Sequence, residues 1–331
     1  MRARTAGLRG ETLATAGRAT RATVRRATIA AVLLLAACTI DVEKPEAPSE
    51  LDPHALRQEA PGRIVAIGDL HGDLSAARTA LRLAGAIDST DTWIGGDLVL
   101  VQTGDILDRG DEEEAIFRLF EDLQAQAAAA GGAVHVLNGN HELMNAYLDF
   151  RYVTNGGWAD FEDVTTVTAV DSFLSTLEPH QRARAQALRP GGEFAQILAD
   201  HNTFLIVGST LFTHGGVLPE HVEWGLDAMN EKVRSWLRGE SEQPEWLRGD
   251  LSPIWNRLYS DEPDQEACAT LAGVLDALDV DRLVVGHTVQ DAGITAYCGG
   301  RVWCIDVGLA AHYGGRPEVL EIRGDAVRGL R

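Results

Sequence analysis

Cysteine is scarce in this chain of 331 residues, four in all, and no two stand as a CxxC pair, so a zinc ribbon has no ligands to form from. No apolar run is long enough to cross a bilayer: the clearest, Ile29 to Ala37, has nine residues, against ~20 for a helix spanning hydrocarbon. Basic residues are few once the N-terminus is set aside. Residues 1–37 carry seven arginines and a single acid, Glu11, which leaves 22 basic and 48 acidic residues beyond them, a net charge of −26. Nucleic-acid backbones are held by clustered lysine and arginine, so the balance argues against that partner, and the acidity serves solubility. Internal repeats are missing too, and low complexity is confined to Ala127 to Ala130. What remains, 45% hydrophobic and 24% charged, is the composition of a soluble globular protein with one large domain.

The N-terminus has a different character. An arginine-rich stretch, the short apolar run and then Cys38 read as a signal peptide over residues 1–37. Leu35-Ala36-Ala37-Cys38 resembles the lipobox of bacterial lipoproteins, which implies acylation of Cys38 and a lipid anchor as the only link to a membrane. Thr39 rather than Asp follows the cysteine, so inner-membrane retention is not indicated. The expected location is the bacterial cell envelope, periplasmic or associated with the outer membrane. Residues 38–61, with Pro45, Pro48, Pro53 and Pro61 among acids and polar residues, read as a flexible tether ahead of one domain over 62–331. Of the other cysteines, Cys298 and Cys304 flank a hairpin-like turn and Cys268 lies apart; the sequence assigns no pair among the three.

Within the domain, strand and helix signals alternate. Ile64 to Ile67 is a buried-strand run, Asp73 to Ala84 has helical spacing, Leu98 to Gln102 is a second strand, Asp111 to Ala130 a helix opening with four acids, and Ala133 to Leu137 a third strand. That order predicts an α/β layered sheet. Residues 145–200, with aromatic clusters, an alanine- and arginine-rich piece and the breaker Pro190-Gly191-Gly192, predict a helical insertion. Strand runs at 204–207, 210–212, 283–285, 295–297, 301–305 and 318–322, with helices near 227–237 and 264–278, predict a second sheet with helices outside it.

Five fragments follow strand runs at once: Gly68-Asp-Leu-His-Gly72, Gly104-Asp-Ile-Leu-Asp-Arg-Gly110, Gly139-Asn-His-Glu142, His214-Gly-Gly216 and Gly286-His-Thr288. Residues just past the carboxyl ends of strands converge on one crevice in an open α/β sheet. Asp69, His71, Asp105, Asn140, His214 and His287 therefore share a site. Carboxylate, imidazole and amide oxygen without thiolate suit manganese, iron, zinc or a similar ion, and Asp105, central in the set, suits a bridge between two ions. Each fragment alone is an ordinary turn or cap; five in register are not. His54, His135, His180, His201, His221 and His312 have no such company and read as surface or core residues.

These fragments resemble the signature of the metallophosphoesterases, and the DRG and GNHE forms resemble its phosphoprotein phosphatase branch. The longer strings Val101 to Glu113, Gly139 to Asn145, Phe150 to Gly157 and Ile305 to Gly315 resemble the Shewanella-like phosphatases over about residues 63–323. The resemblance implies a calcineurin-like fold, two stacked mixed sheets flanked by helices, around two divalent ions, manganese foremost with iron, zinc or magnesium as alternatives. It assigns Asp69, His71 and Asp105 to the first ion and Asp105, Asn140, His214 and His287 to the second. His141 then protonates the leaving alcohol, and Asp108 orients it, in keeping with an imidazole that titrates near neutrality. Arg109 is the phosphate fork, and Arg257, in Trp-Asn-Arg, resembles the family's second phosphate-binding arginine. The implied reaction is in-line attack by a metal-bridging hydroxide on a phosphomonoester, either a phosphoprotein, with a lean to phosphotyrosine, or a small ester or dinucleoside polyphosphate. A non-catalytic metal-binding envelope protein is the remaining alternative. His-Gly-Gly stands where many relatives have His-Ala-Gly, and Leu309-Ala310 where some have Met-Ser.

Overall fold

The computed structural model describes residues 52–60, 62–163 and 170–331. The proposed signal peptide, Cys38 and the first part of the tether lie outside the described residues. Among the described residues, eleven strands form two mixed sheets. The first has the order β11-β10-β2-β3-β4, with β2 (Ile64–Ile67), β3 (Val99–Gln102) and β4 (Ala133–Val136) parallel, and β10 (Val319–Arg323) antiparallel to both β2 and β11 (Ala326–Leu330). The second has the order β1-β5-β6-β7-β9-β8. There β6 (Thr210–Thr213), β7 (Arg282–Val285) and β9 (Val302–Cys304) run parallel, β5 (Phe204–Val207) is antiparallel to β6 and parallel to the edge strand β1 (Arg57–Gln58), and β8 (Thr295–Tyr297) is antiparallel to β9. The expectation of an α/β fold with two stacked mixed sheets and flanking helices is met.

Strand alternation builds the layers. Ile64 and Ala66 of β2, Val99 and Val101 of β3, Leu205 and Val207 of β5, Phe212 of β6 and Val284 of β7 meet in one apolar cluster between the sheets. Their neighbours Val65, Ile67 and Leu100 face the other way, against α1 (Leu74–Leu83) and α2 (Glu113–Ala130). On the opposite flank, Phe204, Ile206, Leu211 and Leu283 pack with α9 (Gln265–Leu278). Local capping sets the helix starts: the carboxylates of Asp73 and Asp264 accept the N–H groups of Ala76 and Ala267 at 2.9 and 2.8 Å. Among the described residues of 145–200, turns alternate with the short helices α4 (Asn155–Ala159), α5 (Arg182–Leu188) and α6 (Glu193–Ala199), which follow the α3 helix (Asn140–Ala146). This segment docks by edge-to-face rings, Phe194 against Phe117 of α2 at 5.6 Å and against Phe161 at 5.0 Å. The helices α7 (Pro219–Trp224) and α8 (Leu226–Leu237) complete the outer layer.

Two details depart from expectation, and a third answers what the sequence left open. Arg57 and Gln58, within the span expected to be a flexible tether, form β1 and pair in parallel with Ile206 and Val207. Two residues carry no periodicity, and only the exposed edge of β5 makes them a strand. The α2 helix begins at Glu113 rather than Asp111, since the amides of Asp111 and Glu112 both donate to the Gly72 carbonyl and hold the chain out of the helix. Cys268 pairs with Cys298 across a Cα separation of 5.2 Å. The β8–β9 hairpin opposes Thr295 to Cys304, which leaves Cys298 on the turn beside α9 and Cys304 free in the core.

Candidate active site

The six predicted ligands come together where the parallel strands of both sheets end. Past β2 lie Asp69 and His71, past β3 Asp105, past β4 Asn140, past β6 His214 and past β7 His287. The sheets are laced at this edge: the His287 amide donates to both Asp69 oxygens at 3.2 Å, and the amides of Leu70 and His71 donate to the Asp105 carbonyl at 2.9 Å. A Cβ on Gly104 or Gly139 would overlap the opposite loop, so the two glycines let the β3 and β4 loops touch. His71, Asp105, Asp108, Arg109 and His287 all adopt the left-handed backbone, with φ between 44° and 69°. Non-glycine residues rarely do so, and such strain of ~1–3 kcal/mol each gathers at functional sites, where the surrounding bonds over-determine it.

Asp105 is the hub. Its Oδ1 accepts the His141 amide at 2.9 Å, while Oδ2 faces His214 Nε2 at 3.2 Å, His141 Nε2 at 3.8 Å and His71 Nε2 at 3.9 Å. Two clusters of metal-ligating atoms share it: His71, Asp105 and His141, and Asp105, His214 and His287. The first includes His141, expected as the acid, and Asp69 lies 3.9 Å from His71 Nε2 alongside it. Asn140 Oδ1 stands 2.9 Å from His214 Nε2.

The donor set fits divalent ions. Each of three imidazoles gives one ring nitrogen to a backbone carbonyl and turns the other inward. His71 Nδ1 donates to Leu107 at 3.1 Å, His214 Nδ1 to Thr103 at 2.9 Å and His287 Nε2 to Trp255 at 3.2 Å. Such partners fix the tautomer and orient a ligand. Burial lowers His71 to about 3 and holds His287 well below the usual histidine range, so both are neutral, as ligation requires. Burial, then Asp306 and Asp105, raise Asp69 well above the carboxylate range, and burial raises Asp306 to about 6. Among the described residues no lysine or arginine pairs with Asp69, Asp105 or Asp306, which leaves a buried anionic cluster that a cation offsets.

The expected acid and its partner are in hydrogen-bond contact. His141 Nδ1 lies 2.6 Å from Asp108 Oδ2, and Nε2 faces the cluster. Burial would depress this imidazole, but Asp105 and Asp108 outweigh it and hold His141 above the usual value. Arg109 sits between two rings, its guanidinium carbon 4.5 Å from the centre of Tyr152 and 5.3 Å from that of Tyr313. Tyr152 also packs on His141, and Tyr313 on His71, at 5.1 and 5.4 Å. Its buried Nε has no partner, and no carboxylate pairs with it among the described residues, so a cation with free donors faces the site. Arg257 is on the rim: Nη1 donates to the His287 carbonyl at 3.0 Å and to Thr288 Oγ1 at 2.8 Å. The other histidines stay away from the cluster, except that His312 packs on Tyr313 at 4.8 Å.

Sequence reasoning missed Glu142, Asp306, Tyr152, Tyr313 and the group Glu113, Asn145 and Arg184. Glu142, in the GNHE fragment, accepts the amides of Asp105 and Gly139 on one oxygen and of Ile106 and Leu107 on the other, at 2.7–3.0 Å. Asn145, Tyr152, Asp306 and Tyr313 lie in the longer family-like strings, where a role was there to be sought. Arg184 had no such signal.

Residues 62–291 match the family described as calcineurin-like phosphoesterase. Shewanella-like protein phosphatase 2 of Arabidopsis thaliana is 41% identical over 302 residues, covering 82% of this chain and 77% of the relative. Shewanella-like protein phosphatase 1 of Plasmodium berghei is 29% identical, covering 82% and 74%. The crystal structure of the cold-active protein tyrosine phosphatase of a psychrophilic Shewanella superposes with a TM-score of 0.67 at 26% identity, covering 88% of this chain and 89% of that one.

Proposed function

The chain belongs to the calcineurin-like phosphoesterases, as a relative of the Shewanella-like protein phosphatases, and on that premise we propose that it hydrolyses phosphomonoesters of proteins, phosphotyrosine foremost, with two divalent ions. The observation that carries the monoester reading is the His141–Asp108 pair, 2.6 Å apart, turned towards a cluster of imidazoles and carboxylates. A binding site has no use for an oriented proton donor, whereas a departing alkoxide or phenolate needs one. Asp69, His71 and Asp105 would hold one ion and Asp105, Asn140, His214 and His287 the other. Bound there, such ions would supply Lewis-acid neutralisation of the phosphoryl oxygens and activation of water for hydrolysis.

The protein's own groups do the rest. Arg109 offers a fork to two non-bridging oxygens, and Arg257 adds charge from the rim. Tyr152 and Tyr313 wall the entrance and keep the Arg109 plane fixed. His141, its tautomer set by Asp108, gives its Nε2 proton to the leaving oxygen. The aromatic walls and the tyrosine phosphatase among the related structures support the phosphotyrosine preference. Manganese is proposed first on the family resemblance, and the nitrogen–oxygen donor set without thiolate suits it as it also suits iron and zinc.

The deciding assay sets phosphotyrosine and phosphoserine peptides, para-nitrophenyl phosphate and diadenosine tetraphosphate against manganese, iron, zinc and magnesium in turn. Manganese-stimulated turnover, fastest on the phosphotyrosine peptide and abolished in Asp105→Asn, is expected. No metal-dependent turnover of any monoester, or faster cleavage of diadenosine tetraphosphate, overturns the reading. For location, we propose a Cys38-acylated envelope protein; mass spectrometry that finds an unacylated mature N-terminus elsewhere sinks it.

A further inference from the structure

Behind the acid lies a second group of charged side chains that the reaction as described does not use. Asp108 gives Oδ2 to His141, and its Oδ1 accepts from Asn145 Nδ2 at 3.0 Å and from Arg184 Nη2 at 3.1 Å. Arg184 comes from α5, in the helical insertion, and is fully buried. All five of its N–H donors are used: Nε on Asn145 Oδ1 at 3.0 Å, Nη1 on Glu113 Oε2 and on the Gly157 carbonyl at 2.9 Å, Nη2 on Asp108 and on Glu113 Oε1 at 3.2 Å. Glu113 also accepts the Asp108 backbone amide. The guanidinium plane is held by Phe161, 4.8 Å from the ring centre.

We propose that Arg184 is a positioning residue for the general acid: it locks the Asp108 carboxylate, and through it the His141 imidazole, so the insertion is part of the acid's machinery. The inference rests on the assignment of His141 as proton donor. An Asp108 carboxylate held only by His141 would be free to turn about its Cβ–Cγ bond. Here both oxygens are committed, one to the imidazole and one to a fork anchored on three other segments: the start of α2, the α3 helix and the Gly157 carbonyl. Lysine cannot replace this fork, since a single ammonium reaches fewer partners and has no planar geometry to match two carboxylates. A purely structural ion pair would need only Glu113. The bond to Asp108, and the grip on the Asn145 that also holds Asp108, go beyond that need.

The test measures kcat and KM of the metal-loaded full chain on phenyl, para-nitrophenyl and 2,4-dinitrophenyl phosphate, a series in which the leaving group needs progressively less protonation. Removing Arg184 alone would strand Glu113 as a buried, unpaired carboxylate. The main variant is therefore Arg184→Met with Glu113→Gln, which takes out both charges; Arg184→Lys, which keeps the charge and loses the fork, serves if the double variant does not fold. Loss of an orienting partner typically costs ~10–100-fold. The expected result is a kcat loss of that size on phenyl phosphate, shrinking to about threefold or less on the dinitrophenyl ester. KM and the manganese affinity, measured calorimetrically, should stay near the parent values. His141→Asn is the reference and should be steeper still. Rates that fall by one common factor across the series, or not at all, in the Arg184 variants while His141→Asn is steep, overturn the role of Arg184 alone. A His141→Asn series parallel to the parent overturns the acid assignment and this inference with it.

Discussion

Glu142→Gln is the sharpest probe of how the ligand loops are held. The Glu142 carboxylate is fully buried and accepts four backbone amides, two on each oxygen, at 2.7–3.0 Å. One pair spans Asp105 and Gly139, tying the β3 loop to the β4 loop; the other holds Ile106 and Leu107. Glutamine keeps the shape but aims an NH2 group at two N–H donors. Two hydrogen bonds to a charged acceptor, each worth about 1.5–3 kcal/mol, are lost. Part of this is returned, because burial and then Asp105 already raise the Glu142 carboxyl, so its ionised form is costly and a neutral amide relieves that. The net loss should be about 3 kcal/mol, which for a domain of this size lowers Tm by about 5 °C. Whichever pair is broken, the Asp105 segment loosens, and manganese affinity should fall by about tenfold or more. Thermal unfolding by circular dichroism and calorimetric metal titration read both effects. A variant with parent-like Tm and parent-like affinity would refute the view that this carboxylate ties the site together.

Other expectations follow from the same geometry. Tyr152→Ala and Tyr313→Ala each remove a ring from the Arg109 sandwich; at about 1 kcal/mol per cation–π contact, KM for aryl phosphates should rise about fivefold with kcat less affected. Reducing the Cys268–Cys298 bond, which closes a sequence separation of 30 residues, should cost about 4 kcal/mol by loop entropy, seen as a drop in Tm with dithiothreitol. Thiol titration of the denatured, unreduced chain should find Cys304, and Cys38 when not acylated, but neither bridged cysteine. Burial opposes it, but Arg63 and Arg328 bind Glu321 at 2.6–2.8 Å and lower its carboxyl from the usual 4.5 to about 2. Because the folded value is depressed, the group's stabilisation is complete above about pH 4.5 and is lost as pH falls towards 2. Glu321→Gln should therefore lower Tm at pH 7, and its difference from the parent should narrow across that acidic window; a gap that does not change with pH would exclude the ion pairs as its source.

Much of the architecture was legible because its determinants are local. Ile64 to Ile67 and Leu283 to Val285 are short apolar runs bounded by glycine, and α9 carries its own cap in Asp264. Each candidate ligand follows such a run, so placing the strands placed the ligands. Where partners lie far apart in the chain, reading failed: β1 is a strand only through the edge of β5, and Cys268 meets Cys298 only because the β8–β9 hairpin presents its turn to α9. The four acids that open α2 read as a helix-dipole effect, yet Glu113 turns inward to Arg184, 71 residues away in sequence.

By itself, then, the sequence determined which chemical groups stand at the strand ends, since residue type and the period-two and 3.6-residue patterns are properties of neighbours along the chain. Only the tertiary structure decided how those groups act. It gave each candidate ligand imidazole a carbonyl partner, held five site residues in a left-handed backbone they would not choose, placed Arg109 between two rings, and brought Arg184 behind the proposed acid. Each of these depends on bonds between distant segments, whose geometry exists only once the two sheets have closed on one another.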